Sequence, residues 1–312
     1  MGLGRLLRYS ICVNPTCPTF LTMKTTTRSL LPFALASLFA SCGGEISLPD
    51  DAKGTAETVL SNLAENKPQV LWSALPESYR TDANDVARAA IATIDPDVYD
   101  KALGILKKAN KILTEKKEYI LKNETVSALA EDKDKLSDDW DNFTELLDVL
   151  LDSQLGSYET AKEIDLGDLL ADTGGDLMNK LAAISALTSE DKWKNEFVAK
   201  TNAVKVEEVS TSGEETVLRI TDPDGGVEEH PWVKVEGKWI PKVLQIGWKE
   251  GIAEAKADIA AKEAAKAEDK AGVLFVLNMV DGVLDQLDQA ESQEEFEAAL
   301  KGIASLGGGF GG

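Results

Sequence analysis

The chain has 312 residues, enough for one large domain or two modest ones, and its 43% hydrophobic content gives it material for a core, which excludes wholesale disorder. It carries 33 basic against 54 acidic residues, and a body so acidic repels phosphate backbones, which argues against nucleic-acid binding. Its three cysteines are Cys12, Cys17 and Cys42, so the 270 residues that follow hold no disulfide, cysteine nucleophile or thiolate metal site.

In chain order, the first segment is unlike the rest. No Asp or Glu precedes Glu45, while four basic residues (Arg5, Arg8, Lys24, Arg28) precede Cys42. From Cys42 onward 29 basic residues face 54 acidic ones, a formal net charge of −25. Lys24 and Arg28 form a short positive region, and Ser29 to Ala40 supplies an apolar run. That run has signal-peptide length and is too short to span a hydrocarbon core of ~30 Å as a helix. Phe39-Ala40-Ser41-Cys42 follows.

This stretch, from Met23 to Gly44, resembles the lipobox signal of bacterial lipoproteins, with Phe39 where leucine is usual and Leu38 beside it. The resemblance implies cleavage between Ser41 and Cys42, a diacylglycerol on the Cys42 sulfur, and residence in the bacterial cell envelope, facing the periplasm or the cell surface. Residues 1–42 are then signal peptide. Met23-Lys24 makes a better start for it than Met1, which leaves 1–22 upstream of the translated protein. Gly43-Gly44 and the polar residues to 54 read as a flexible tether.

Residues 55–200 read as a helical region. From Ala52, a helix places Ala56, Val59, Leu60 and Leu63 on one side, and Pro68 stops it. A short helix carries Val70, Leu71, Trp72 and Leu75. A third is expected to start at Asp82 as its cap, with Val86, Ala89, Ala90 and Ile94 inward. Asp95 caps and Pro96 opens one long helix to about Leu121. Its apolar stripe runs Tyr99, Leu103, Leu106, Ile112, Leu113, Ile120, with lysines on the outer face. Leu136, Trp140, Phe143, Leu147, Leu150 and Leu151 form the buried side of the next, ended by Gly156. Two helical pieces around Gly174-Gly175 and a short helix after Ser189 complete the region.

At Thr201 the pattern changes to strands. "NAVKVEEVS", "ETVLRITD" and "WVKVEGKWIP" alternate, with turns at Ser212-Gly213, 222–226 and Glu236-Gly237. A three- or four-stranded antiparallel meander with one packed face is expected over 201–241, its packing extending to 250. Residues 251–306 return to helix. A segment rich in Ala, Glu and Lys is followed by "AGVLFVLNMVDGVLDQLDQ", with Val276, Val280, Val283 and Leu287 on one side. Ser292 and Glu295 form a capping box, and 307–312 is a flexible tail. The fold class is therefore α+β, mostly helical with one small antiparallel sheet. "WVKVEGKWIP" also resembles the last hairpin of cystatin-like or NTF2-like bacterial lipoproteins, which implies a helix and a curved sheet around a cone-shaped pocket.

Candidate chemistry is sparse. His230, the one histidine, lacks the companions that a zinc site needs and reads as an exposed strand residue. Asp222-Pro223-Asp224-Gly225-Gly226 opens like a calcium loop, but its twelfth position is Val233 rather than glutamate, so it is a turn. Asp132, Asp134, Asp138, Asp139 and Asp141 suit a helix N-terminus through its dipole. No nucleophile elbow, P-loop or dinucleotide fingerprint occurs. No metal, no cofactor and no catalytic residue is assigned. Trp232, Trp239 and Trp248 are the residues expected to line a ligand pocket if the sheet forms one, and core otherwise. The leading expectation is a lipid-anchored module that binds a protein or small molecule without catalysis. A carboxylate-based envelope hydrolase and a helical spacer are the alternatives.

Overall fold

A computed structural model describes residues 45–123, 133–188, 192–265 and 270–308. Asp51 opens the first helix, α1 (Ala52–Ala64), by accepting the Gly54 N–H at 2.6 Å. Then come α2 (Gln69–Ala74), α3 (Glu77–Ala92), α4 (Pro96–Glu115), α5 (Lys117–Lys122) and α6 (Lys133–Asp138). The helical region ends with α7 (Asp141–Asp152), α8 (Tyr158–Ala161), α9 (Leu166–Leu169), a π turn (Leu170–Gly174), α10 (Gly175–Thr188) and α11 (Lys192–Ala203). Four strands follow as a meander in the order β1-β2-β3-β4: β1 (Lys205–Ser212), β2 (Glu215–Thr221), β3 (Val227–Val235) and β4 (Lys238–Pro241). The chain closes with α12 (Lys242–Ala265), α13 (Lys270–Gln289) and α14 (Gln293–Gly308). The fold is α+β and mostly helical, with one four-stranded antiparallel sheet.

Helix starts follow local chemistry where side chains can cap. Asp95 accepts the Asp97 N–H at 3.0 Å ahead of Pro96. Ser292 Oγ accepts the Glu295 N–H at 3.2 Å, and Glu295 accepts the Glu291 N–H at 2.9 Å. Two expectations fail. Asp82 is not a cap, because α3 begins five residues earlier, after Pro76. The carboxylate of Glu236, from the β3–β4 turn, accepts the Ser78 N–H at 3.0 Å and does the capping from outside. The long helix from Pro96 breaks at Lys116, whose ammonium turns to the Ala290 carbonyl at 2.7 Å.

The outer lysines of that helix are also not on a free face. Lys270 bridges Asp95 and Asp97 at one end, Lys101 and Lys108 meet Asp281, and Lys111 meets Asp288 at 2.8 Å. Successive partners ascend both helices together, so α4 and α13 lie parallel. Beneath this clasp Ile112, Ile120, Leu136 and Trp140 pack with Leu287, Ala290, Phe296 and Ala299.

The β3–β4 turn places Glu236 and Gly237 at φ +49° and +79°, the left-handed pair that a two-residue hairpin demands. The register sets Leu218 opposite His230 and Lys234 opposite Trp239. Side chains alternate, so Val206, Leu218, Trp232 and Trp239 share one face and pack on Ala52 and Ala56 of α1. Val233 and Ile240 project from the other face onto Tyr79, Leu75, Leu244 and Trp248. Both faces of the β3–β4 half are therefore covered, where one packed face was expected. β1 remains at the solvent edge.

The expected tether over 43–54 is mostly part of the body. Glu45 pairs with Arg80 at 3.1 Å, Ser73 Oγ accepts the Ile46 N–H at 2.9 Å, and Ala52 already lies in α1. The expected tail at 307–312 is helical through Gly308, and 309–312 lie outside the described residues.

Candidate functional site

A groove of about 580 Å³ lies between α7 and the helical stretch from α9 to α10. Glu145, Asp148, Val149 and Asp152 line one wall, at positions i, i+3, i+4 and i+7 of α7. That spacing puts all four on one helix face. Leu169, Asp172, Thr173, Asp176 and Lys180 line the other wall at helical intervals through the π turn. Ser153 and Gln154 close the floor at the end of α7. Five carboxylates therefore face one ammonium across a cavity whose size suits a small ligand or a short peptide segment.

The walls are held from behind. Asn110 of α4 donates to Asp148 at 2.5 Å, and Lys180 of α10 pairs with Glu145 across the groove. Gln154 Oε1 accepts the Asp165 N–H at 2.9 Å, tying the end of α7 to the start of α9. Gly156 permits the exit from α7: a Cβ there would fall on the Leu151 carbonyl oxygen. Gly174 lets the π turn seat on the α1–α2 link, since a Cβ would meet Pro68 Cγ at 2.7 Å. The π turn adds one residue to a helical turn and marks the place where regular helix geometry yields to the groove.

Glu145, Asp148, Asp152, Asp172 and Asp176 are all solvent-exposed. They do not form the sequestered pair with which a carboxylate hydrolase keeps one acid protonated and the other charged. Among the described residues no group of three or more His, Cys, Asp or Glu converges to hold a metal ion. What the groove offers is a solvated negative surface with two apolar contacts, Val149 and Leu169.

The sequence-derived candidates are placed elsewhere. Trp232 and Trp239 are buried core on the α1 face of the sheet, and the Trp239 indole donates to the Asp50 carbonyl at 3.3 Å. Trp248 lies on the opposite face, stacked on Tyr79 with centroids 4.3 Å apart and planes 6° off parallel, its indole donating to Asp82 at 3.1 Å. The sheet thus separates Trp248 from the other two. His230, half-exposed, approaches Glu228 at 3.1 Å. Asp222 accepts the N–H groups of Asp224 and Gly226 at 2.9 and 2.8 Å, the work of a turn. Of the acidic run that leads into α7, Asp141 pairs with Lys117 at 3.6 Å, while Asp132 lies outside the described residues. Ser41 and Cys42 also lie outside them.

The acids that line the groove lie beyond the acidic run at the start of α7. The signal was available one turn later, in Glu145, Asp148 and Asp152 on one face, with Asp172 and Asp176 at i, i+4. Comparison with protein-family models, curated proteins and solved structures gives no match.

Proposed function

We propose that the chain is a bacterial envelope protein, anchored by a diacylglycerol on Cys42, that binds a cationic ligand in the groove between α7 and α10 and catalyses no reaction on it. The sequence Phe39-Ala40-Ser41-Cys42 after an apolar run supports the anchor. Five exposed carboxylates against one lysine in a preformed concavity carry the binding role. Among the described residues no helix is long and apolar enough to cross a membrane. Diacylation suits anchoring, since two chains hold a protein on a bilayer where one gives only reversible binding.

Cells fed radiolabelled palmitate are expected to label the wild-type protein and not Cys42→Ala. Equal label in both, or none in the wild type, rejects the anchor. For the groove, the probe is decalysine titrated onto the acylated protein. Asp148→Asn with Asp172→Asn is expected to weaken binding about tenfold, each exposed charge contributing up to about 1 kcal/mol. Raising salt from 0.05 to 0.5 M should weaken the wild type in the same sense, because the groove is open to screening ions. Unchanged affinity in the double variant would remove the groove from the function.

A further inference from the structure

We infer that the face around Glu45, Arg80 and the β3–β4 turn is seated directly on the lipid headgroups, so that the anchored body is held flush with the bilayer and does not swing on a linker. This rests on the acylation of Cys42 proposed above. The first described residue is already fixed to the body. The Glu45 carboxylate reaches Arg80 of α3 at 3.1 Å and Lys238 of β4 at 3.8 Å. Ile46 then donates its N–H to Ser73 of α2 at 2.9 Å, and the Thr55 hydroxyl donates to the Pro49 carbonyl at 3.1 Å. Asp50 pairs with Lys234, and its carbonyl receives the Trp239 indole. The segment from Glu45 to Asp51 is therefore laid across α2, α3, β3 and β4 before α1 begins.

Three covalent steps separate Cys42 from Glu45, with Gly43 and Gly44 between them. Fully extended they span at most about 11 Å. The headgroup layer on each side of a bilayer is itself roughly 5–8 Å deep, taking total thickness against hydrocarbon thickness. A cysteine thioether sits at the glycerol level, so only about 3–6 Å of reach remains above the headgroups. The side chains that meet Glu45 must then lie at the lipid surface. Arg80 and Lys238 supply cations there for lipid phosphate, and Arg80 offers the planar fork that binds phosphate in two-point fashion. Glu236, Glu77 and Asp50 lie on or beside the same face, so the contact requires Arg80 and Lys238 to reach phosphate past them, while acids farther than about 8 Å are largely screened at physiological ionic strength.

The absence of cysteine after Cys42 makes the test direct, because one introduced thiol is labelled alone. Glu77 is exposed, opens α3 and lies one turn before Arg80. Asp224 is exposed on the β2–β3 turn, at the other end of β3. Eight residue steps along β3 separate Val227 from Val235, about 27 Å at the usual strand rise. Full-length acylated E77C and D224C, each carrying an environment-sensitive fluorophore, are reconstituted into phosphatidylcholine–phosphatidylglycerol vesicles doped with a headgroup-bound nitroxide quencher.

The Glu77 label is expected to lose emission roughly twofold or more, because the chain keeps Glu45 within about 11 Å of the anchor and Glu45 is paired with Arg80, one helical turn from Glu77, and the Asp224 label is expected to lose less. A twelve-residue Gly-Ser insertion between Gly44 and Glu45, with a typical reach of about 20 Å, should abolish the loss at Glu77. If palmitate is incorporated but Glu77 is unquenched, or is quenched no more than Asp224, the seated face is wrong while the anchor stands. Quenching that survives the insertion likewise overturns the claim that the short link sets the face. If no palmitate is incorporated, the anchor itself fails and this inference fails with it.

Discussion

Phe296→Ala is expected to cost about 3–5 kcal/mol of stability, read as a drop in the urea midpoint at unchanged slope. Phe296 is 1% exposed and stands in the first turn of α14, directly after the capping box. It tilts against Tyr119 with centroids 5.7 Å apart, and its cluster draws Ile112 from α4, Ile120 from α5, Leu136 from α6 and Leu287 from α13. One ring thus closes a core assembled from five helices whose residues are separated by up to 187 positions in the chain, from Ile112 to Ala299. Truncation removes the transfer energy of the ring and leaves a cavity that rigid helices on all sides cannot fill. A matched control is Phe275→Ala on α13, where the side chain is 64% exposed and the expected change is within about 0.5 kcal/mol. A loss below about 1 kcal/mol at Phe296 would mean that the capping box and clasp, rather than this cluster, hold α14 in place.

The control residue also shows what periodicity could and could not reveal. Val276, Val280, Val283 and Leu287 share one side of α13 by spacing alone. Only Val283 and Leu287 are buried, whereas Val276 and Val280 are 37% and 38% exposed. Spacing identifies a face, but whether another element covers it depends on where that element ends. The same distinction explains the strands. β-branched residues and glycine turns marked all four, since hairpin register is local and a turn fixes it. That the sheet is covered on both sides depends on α1 and α3, which lie more than 100 positions before the strands they cover, together with α12, which follows β4 directly. Helix starts with a side-chain cap close in sequence, Asp95 and Ser292, were legible. The start of α3 was not, because its capping carboxylate, Glu236, comes from a position 158 residues distant. The groove shows the limit most clearly. Its carboxylates can be grouped by helix face from sequence, but that α7 meets α10 across a cavity is a tertiary fact. For the three tryptophans the sequence left two outcomes open, a shared pocket or core, and Trp232 and Trp239 are core. Strand alternation and the entry into α12 send Trp248 to the opposite side of the sheet from Trp232 and Trp239.

Asp281→Ala is expected to destabilise the protein by about 2 kcal/mol at pH 7, with the deficit shrinking toward zero as the pH falls below about 4. Asp281 is the centre of the α4–α13 clasp. Lys101 donates to it at 2.6 Å and Lys108 donates to its other oxygen, while Lys108 also reaches Asp285 at 2.5 Å. The carboxylate is three-quarters covered, at 23% exposure, as are both lysines at 28% and 23%, so water competes less here than at an open surface pair. Its removal breaks the charge-assisted hydrogen bonds from Lys101 and Lys108, leaving Lys108 with Asp285 alone. The gain is then larger than the 0–1 kcal/mol of an open pair and smaller than that of a fully buried one. The hydrogen bonds from Lys101 and Lys108 hold the Asp281 carboxyl below its ordinary range. A carboxyl depressed by folding contributes its full stability above its unfolded value near pH 4, and that contribution is lost as pH falls through the lower folded value. Wild type therefore loses this increment on acidification, and the alanine variant has none to lose. Lys108 is raised by the bonds from Asp281 and Asp285, so its share persists through neutral pH and disappears only as pH rises past the ordinary lysine range of about 10.4. Urea midpoints for wild type and Asp281→Ala at pH 7 and pH 3 measure the effect. An equal gap at both values would show that Asp281 acts by packing and not by charge. Because α13 lies parallel to α4, the helix dipoles oppose the pairing, and the clasp offsets that cost with opposite charges placed at matching levels along both helices.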